Sequence, residues 1–259
     1  MPEGKNFWGH LEVLRWLLIR CIAAVFVIAV AVFCLKDFVF EYIIFAPCKT
    51  DFVTYRLMER IGMAVDIGQI ELININLASQ LMTHLSVSLY LALIVAFPYI
   101  IAEVWFFVKP ALYSNERKPA IGATLAFFVQ FFLGIALAYF VIFPLTLIFL
   151  GTYQVSSRVE NQINLSSYIS SFTGLLFTIG LMFELPIVAY FFARIGVLNA
   201  AFLKKWRKLA IVLVFVAAAF ITPSTDIFTM CVVALPLWLL YEFSIIITKR
   251  AENNIGYEK

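Results

Sequence analysis

Residues Leu176–Phe192 read L-F-T-I-G-L-M-F-E-L-P-I-V-A-Y-F-F, an apolar run that contains one carboxylate, Glu184, two residues before Pro186. At helical rise, Glu184 lies roughly 12 Å along the axis from the end of this run. Holding a charge that deep in a membrane costs about 2.5 kcal/mol or more unless it is neutralised or partnered. Two interpretations stay open: a structural glutamate that is protonated or hydrogen-bonded inside a helix bundle, or a carboxylate that binds a partner or gates a path.

The composition indicates what surrounds this glutamate. The chain has 259 residues, of which 63% are hydrophobic and only 14% are charged, which is typical of an integral membrane protein. Six apolar runs predict an all-α domain that occupies the whole chain, residues 1–259, with spans at about 16–35, 85–108, 121–150, 169–193, 209–221 and 227–247. The fifth run covers roughly 20 Å, which is short of the ~30 Å hydrocarbon core.

The distribution of basic residues predicts the orientation of these spans. If the N-terminus is inside, the outer segments hold only a few of the 19 Lys and Arg residues, namely Lys36, Lys49, Arg56, Arg60 and Arg158. The positive-inside rule then places both termini in the cytoplasm. Residues 36–83 become an outer loop, whose aromatic side chains suit an interfacial cap better than a separate domain. The net charge of +3 follows from this topology and gives no reason to invoke nucleic acid.

The sequence contains none of the motifs of the common catalytic sites. It lacks the phosphate-binding loop of nucleotide enzymes, the H-E-x-x-H of zinc hydrolases and the G-x-S-x-G of serine hydrolases. The only two histidines, His10 and His84, fall on opposite sides of the predicted membrane. We therefore expect no enzymatic activity, no cofactor and no metal. Cys48 is the one cysteine outside the spans, so no intrachain disulfide is expected.

The first predicted cytoplasmic loop, Phe107–Lys118, reads F-V-K-P-A-L-Y-S-N-E-R-K. Pro110 can occupy the first turn of a short helix, because its missing N–H would be unsatisfied there anyway. Glu116 falls between basic residues. Judged only by its charges, this loop is a solvated charge cluster, and each exposed ion pair in it contributes only ~0 to 1 kcal/mol to stability.

The loop also resembles the F-x-x-P-A-L-Y-x-x-E-R signature of TatC, the receptor subunit of the twin-arginine protein translocase. Other TatC landmarks follow in order along nearly the whole chain. They are H-L-E-V-L-R at 10–15, Ala46-Pro47, F-V-I-F-P at 140–144, F-E-L-P at 183–186, and Thr222-Pro223 with Asp226-Ile227-Phe228. The resemblance implies a concave wall of six helices, with short fifth and sixth helices, that binds the S-R-R-x-F-L-K motif of signal peptides at its cytoplasmic side.

The resemblance assigns signal-peptide binding to Glu116, Phe107, Glu12 and Arg15. Two guanidinium groups need carboxylates, and a Glu can accept a bidentate pair from Arg that Lys would not reproduce. Glu116 matches the arginine-binding Glu of the family, and Phe107 matches an aromatic of the same patch. The second family Glu would fall at Val13, whereas this chain carries Glu12 one residue earlier, a helical rotation of about 100°.

The resemblance further assigns Glu184, Thr222 and Asp226 to partner binding or gating within the membrane, and Pro47, Pro110 and Pro186 to structural turns. The implied partners are single-span proteins of the TatA and TatB type, other TatC copies, the lipid bilayer and the signal peptides of folded cargo. Transport in the inner, cytoplasmic membrane would use the proton motive force. A secondary transporter is the alternative that would also use Glu184, but such folds usually show paired repeats and more spans, and the sequence shows neither.

Overall fold

The computed structural model describes residues 7–62, 72–108, 120–154, 156, 162–222 and 226–256, and they are mostly helical. The α-helices are α1 (Phe7–Cys34), α2 (Lys36–Phe38), α3 (Val53–Arg60), α4 (Ser79–Val108), α5 (Ala120–Leu137), α6 (Phe143–Thr152), α7 (Leu165–Met182), α8 (Leu185–Arg194), α9 (Ala200–Lys205), α10 (Arg207–Ile221) and α11 (Ile227–Gly256). The described residues also form two π-helical segments, Val39–Ile44 and Ala138–Ile142, and a 3₁₀ turn, Ala46–Cys48. The strands β1 (Leu72–Ile73) and β2 (Ile163–Asn164) form a small parallel pair, which the all-α prediction did not include.

Within the described residues, five helical stretches are long and apolar enough to cross a membrane: Leu11–Cys34, Ser79–Phe107, Leu125–Thr152, Leu165–Arg194 and Ile227–Glu252. They correspond to the first four predicted spans and the sixth. Helix α10 has 15 residues, about 22 Å of rise, and is not among them.

The helices extend beyond several of the predicted span boundaries. Helix α1 begins at Phe7 rather than near residue 16, α4 at Ser79 rather than 85, and α11 continues to Gly256 rather than 247. The predicted outer loop 36–83 therefore ends at residue 78. The reason is that hydropathy marks the apolar part of a helix, whereas backbone hydrogen bonding continues through polar residues into the interface.

The fourth predicted span is broken in the middle rather than continuous. Helix α7 ends at Met182, Phe183 and Glu184 form a turn, and α8 begins at Leu185 with Pro186 in its first turn. Proline lacks an N–H, so it fits the start of a helix. The carbonyl of Glu184 accepts hydrogen bonds from the N–H groups of Ile187 and Val188 at 3.1 and 3.0 Å, which continues the chain as α8.

This broken span, α7 with α8, runs parallel to α4 in a constant register. The hydroxyls of Ser79 and Ser166 hydrogen-bond, the rings of Tyr90 and Phe177 lie 6.0 Å apart, and those of Trp105 and Phe191 lie 5.0 Å apart. The residue numbers differ by 86 or 87 in all three pairs. A residue of the broken span therefore lies level with the α4 residue about 87 positions earlier.

We call Lys36–Arg60 the cap, because it packs against the π-helical segment Ala138–Ile142, against α6 and against the first turn of α7. Tyrosine hydroxyls satisfy carbonyls at the bends of the cap: Tyr139 donates to Ile43 at 3.0 Å, Tyr168 to Ile44 at 2.6 Å and Tyr55 to Pro47 at 2.7 Å. The hydroxyl of Thr54 donates to the carbonyl of Phe140. The bonds of Tyr139, Tyr168 and Thr54 join the cap to the bundle, whereas that of Tyr55 lies within the cap. Burial raises the pKa of the Tyr55 phenol, which keeps it a neutral donor. The end of the bundle beside the cap, where α1 ends and α4 begins, is the capped end, and the opposite end, where α1 begins and α4 ends, is the uncapped end.

Helices α5 and α7 approach each other closely at two glycines. A Cβ on Gly134 would lie 2.7 Å from Cγ and 2.8 Å from Cβ of Phe183, and a Cβ on Gly180 would lie 2.9 Å from the Phe131 ring. Phe131 is fully buried. Small residues at helix crossings allow this kind of close packing in membranes, where association depends on van der Waals contact.

We expect Gly134→Ala to lower the stability of the bundle, because the contacted Cβ of Phe183 cannot move away by a rotamer change. Overpacking of this kind costs roughly 1–3 kcal/mol. The control is Gly174→Ala, since a Cβ there would meet nothing within 4 Å. Thermal unfolding in detergent checks the pair, and equal melting temperatures for the two variants would contradict the close approach at Gly134.

Candidate functional site

Helix α1 lies antiparallel along α4, and contacts at two levels define their alignment. Toward the capped end, the ring of Phe33 stacks on His84 with centroids 3.9 Å apart. Toward the uncapped end, Nη1 of Arg20 lies 3.5 Å from Oε1 of Glu103. This alignment brings the first turns of α1 beside the last turns of α4.

Three residues that the sequence assigned to signal-peptide binding therefore lie at the same end of the bundle. Glu12 and Arg15 are exposed on the first turns of α1, and Phe107 is partly buried in the last turn of α4. Val13, at the position of the displaced family Glu, is exposed as well, so neighbouring helices cover neither position. Glu116 and Pro110, which the sequence assigned to the same region, lie outside the described residues.

Glu184 lies at the break between α7 and α8 and is only 6% exposed. Neither of its carboxylate oxygens has a hydrogen-bond partner among the described residues. The offset of about 87 places it level with Phe97, ten residues before Phe107, so roughly 15 Å of helix axis separates Glu184 from the uncapped end of α4. In such surroundings a carboxyl group must be neutral or acquire a partner.

Thr222 and Asp226 flank the turn between α10 and α11, whose residues 223–225 lie outside the described part of the chain. The buried hydroxyl of Thr222 donates to the carbonyl of Ala218 at 3.0 Å. Oδ1 of Asp226 accepts from the N–H of Thr229 at 2.8 Å, so Asp226 caps the N-terminus of α11. Asp226 therefore has a structural role as the N-cap residue of α11, and the sequence did not predict this role.

Thr222 also borders a groove of about 460 Å³ between α7 and α10. Hydroxyl groups and small residues line much of it, among them Ser170, Ser171, Gly174 and Thr178.

Of the predicted structural prolines, Pro47 is buried in the 3₁₀ turn of the cap and Pro186 is buried at the start of α8. The structure thus places Glu12, Arg15 and Phe107 together at the uncapped end, apart from Glu184 and from the Thr222 groove.

Glu103 is a further charged residue within an apolar helix, and the sequence analysis missed it. Its Oε1 accepts from the Tyr99 hydroxyl at 2.9 Å and faces Arg20 of α1. The signal that could have identified it is the one that identified Glu184, a carboxylate within an otherwise apolar span. An opposite charge, Arg20, within the preceding span was the second part of that signal.

Comparison with known proteins identifies close relatives over most of the chain. The sequence profile of the family described as Sec-independent protein translocase protein (TatC) matches residues 9–236. The protein of that name from Blattabacterium of Periplaneta americana is 36% identical over 260 residues, which cover 96% of this chain and 97% of the relative. That of Helicobacter pylori strain J99 is 38% identical over 178 residues, 69% of this chain and 71% of the relative.

Two solved structures of similar length share the fold. Both are crystal structures described as the twin arginine translocase receptor TatC, one of them in DDM. They match with TM-scores of 0.75 and 0.77 at 33% and 34% sequence identity. Each comparison covers 93% of this chain and 99% of the solved chain.

Proposed function

Because this chain belongs to the TatC family of Sec-independent protein translocase proteins, we propose that it is the receptor and core subunit of a twin-arginine translocase. It binds twin-arginine signal peptides at the cytoplasmic face and recruits single-span partners of the TatA and TatB type, which together move folded proteins across the inner membrane. The observation that carries this proposal is the alignment of α1 with α4, which presents Glu12 and Arg15 at the end of the bundle where the last turn of α4 carries Phe107.

The proposed topology has six spans in a cupped bundle, with both termini in the cytoplasm. Helix α10 is the short fifth span, and its first residues, Arg207 and Lys208 after Trp206, lie among the headgroups of the inner leaflet. Arg207 pairs with Glu242 of α11 at 2.6 Å, which holds this end of the α10–α11 pair together. The cap then lies on the outer side, in agreement with the small number of basic residues in the outer segments.

Recognition in this proposal depends on the charge and shape of the two signal-peptide arginines. Glu116 accepts a bidentate pair of hydrogen bonds from one guanidinium group. Glu12 provides the second carboxylate, and Arg15 lies three residues later on the same side of α1. Phe107 packs against the apolar residue that follows the arginines.

We expect Glu116→Ala to reduce crosslinking of a twin-arginine signal peptide about tenfold while the protein stays inserted and stable. A hydrogen bond to a charged group is worth about 1.5–3 kcal/mol, whereas a loop carboxylate contributes little to the bundle. Glu116→Gln should be nearly as damaging, because an amide does not neutralise a guanidinium. Site-specific photocrosslinking in membranes measures this effect.

The matched control is Glu59→Gln, which removes an exposed carboxylate from the cap at the other end of the bundle. It should leave crosslinking unchanged. Normal crosslinking in both Glu116 variants would exclude Glu116 from recognition and would leave the beginning of α1 as the site.

Recruitment of the partners falls to Glu184 and to the Thr222 groove. The Glu184 carboxyl has no hydrogen-bond partner in the part of the chain that the structure describes, and a polar group on the helix of a TatA-type partner would satisfy it in lipid. The hydroxyl-lined groove beside Thr222 offers a second polar contact for a single-span helix. Asp226 contributes by capping α11 and so holding the shape of the turn.

A further inference from the structure

The ion pair between Arg20 and Glu103 joins two helices that are otherwise apolar at this level. Oε1 of Glu103 lies 3.5 Å from Nη1 of Arg20 and accepts from the Tyr99 hydroxyl at 2.9 Å. Nε of Arg20 also donates to the carbonyl of Trp16 at 3.3 Å. The Arg20 side chain is 53% exposed and the Glu103 side chain 14%, so the carboxylate is the more buried partner.

The stack of Phe33 on His84 fixes α1 against α4 toward the capped end, but the half of α1 nearer the uncapped end has few contacts besides the ion pair. Among the described residues of α1, only Leu17 and Cys21 are buried, and both lie within one turn of Arg20. From Leu11 to Ile22 every other side chain of α1 is exposed, so apolar burial defines the rotation of this half of the helix only weakly. An ion pair in a low-dielectric environment allows few rotations of the helix, because breaking the pair leaves an uncompensated charge.

We propose that the Arg20–Glu103 pair is a positioning device for the signal-peptide site, which sets the rotation and register of α1 against α4. The inference rests on the proposed function. Arg20 follows Glu12 by eight residues, about 12 Å of axis, and Glu103 precedes Phe107 by four residues on the same helix face. The pair therefore connects the α1 segment that carries Glu12 to the α4 turn that carries Phe107.

The rotation of α1 matters strongly for signal-peptide binding in this chain, because Val13 occupies the position of the family Glu. The carboxylate on Glu12 is displaced by about 100°, so its direction depends on how α1 is rotated against α4. A pair that resists rotation of α1 keeps Glu12 and Arg15 directed to the same peptide.

The direction of the side chains argues that Glu103 positions the site and does not bind the peptide. Helical side chains lean toward the N-terminus of their own helix. In α1 that direction is the uncapped end, and Arg20 reaches back to Trp16. In α4 it is the capped end, so Glu103 leans toward Tyr99 and away from Phe107.

Charge exchange tests this inference in the full chain in membranes. The variants are Arg20→Glu, Glu103→Arg and the double variant, with Glu103→Gln as a milder change of nearly constant volume. A photoreactive residue at Leu11 reports contact of α1 with a twin-arginine signal peptide, and one at Phe106 reports contact of α4. We expect each single reversal to reduce crosslinking from Leu11 about tenfold and crosslinking from Phe106 less than threefold, and the double variant to restore both to within about threefold.

The outcomes separate a positioning role from the other roles. Failure of the double variant to recover crosslinking would overturn the inference, because an arginine cannot replace a carboxylate that binds the peptide arginines directly. Unchanged crosslinking from Leu11 in Glu103→Gln, with an unchanged melting temperature, would overturn it as well. If the unaltered chain crosslinks signal peptides with paired arginines and paired lysines equally, the proposed function itself fails, and that result is distinguishable from both others.

Discussion

A folded reporter with a twin-arginine signal peptide is expected to cross the membrane in cells whose only TatC-family protein is this chain. The same reporter with paired lysines is expected to stay in the cytoplasm, with export reduced about a hundredfold. Arginine presents five donors in a planar fork that matches a carboxylate, whereas the lysine ammonium is a point charge that cannot make the same pair of bonds. Losing roughly 1.5 kcal/mol at each of two positions gives a reduction of this size.

Export is measured as the fraction of reporter recovered outside the cytoplasm. Cells without any TatC-family protein provide the background, and a reporter with a disordered passenger domain tests whether folding of the cargo matters. Equal export of the arginine and lysine signals would overturn the assignment of this chain as a receptor for paired arginines.

The second large effect is expected for Glu184→Ala, which should abolish export while signal-peptide binding persists. The two functions separate because Glu184 is level with Phe97, about 15 Å from Phe107, and distant sites usually act independently. The carboxylate is buried and lacks a hydrogen-bond partner among the described residues, so its removal takes away a group that needs a partner in lipid. Glu184→Gln should keep partial function, because an amide still forms hydrogen bonds there.

The measurement combines reporter export with crosslinking from cysteines along α7 and α8 to the helix of a TatA-type partner. Leu185→Ala is the matched control, because Leu185 is the next residue and is 46% exposed. It should export normally. If Glu184→Ala also exports normally and crosslinks as before, then the carboxylate is structural, the first of the two interpretations that the sequence left open.

Part of the site could be predicted from the sequence, because the cost of a charge in an apolar span is a local property. Glu184 was recognised for this reason, and the structure places it buried and without a hydrogen-bond partner in the described part of the chain. The loop motif around Phe107 and the N-terminal segment with Glu12 and Arg15 were recognised by resemblance alone. Glu103 meets the same local criterion as Glu184, but it was not among the residues predicted from the sequence. Asp226 was assigned to partner binding, and the structure adds its role as the cap of α11.

By itself, the sequence determined that the protein lies in a membrane, where most of its spans fall and which family motifs it carries. These follow from hydropathy over about 20 residues and from short motifs, which depend on neighbours along the chain. Only the tertiary structure decided that α7 ends before Glu184, that tyrosines of α7 and of the π-helical segment Ala138–Ile142 hold the cap, and that Arg20 meets Glu103. Those features depend on contacts between residues that are far apart in sequence, and the close approach of Gly134 to Phe183 is another contact of this kind. In lipid, where apolar surfaces gain little from meeting one another, close packing and a few polar contacts select one arrangement of the helices.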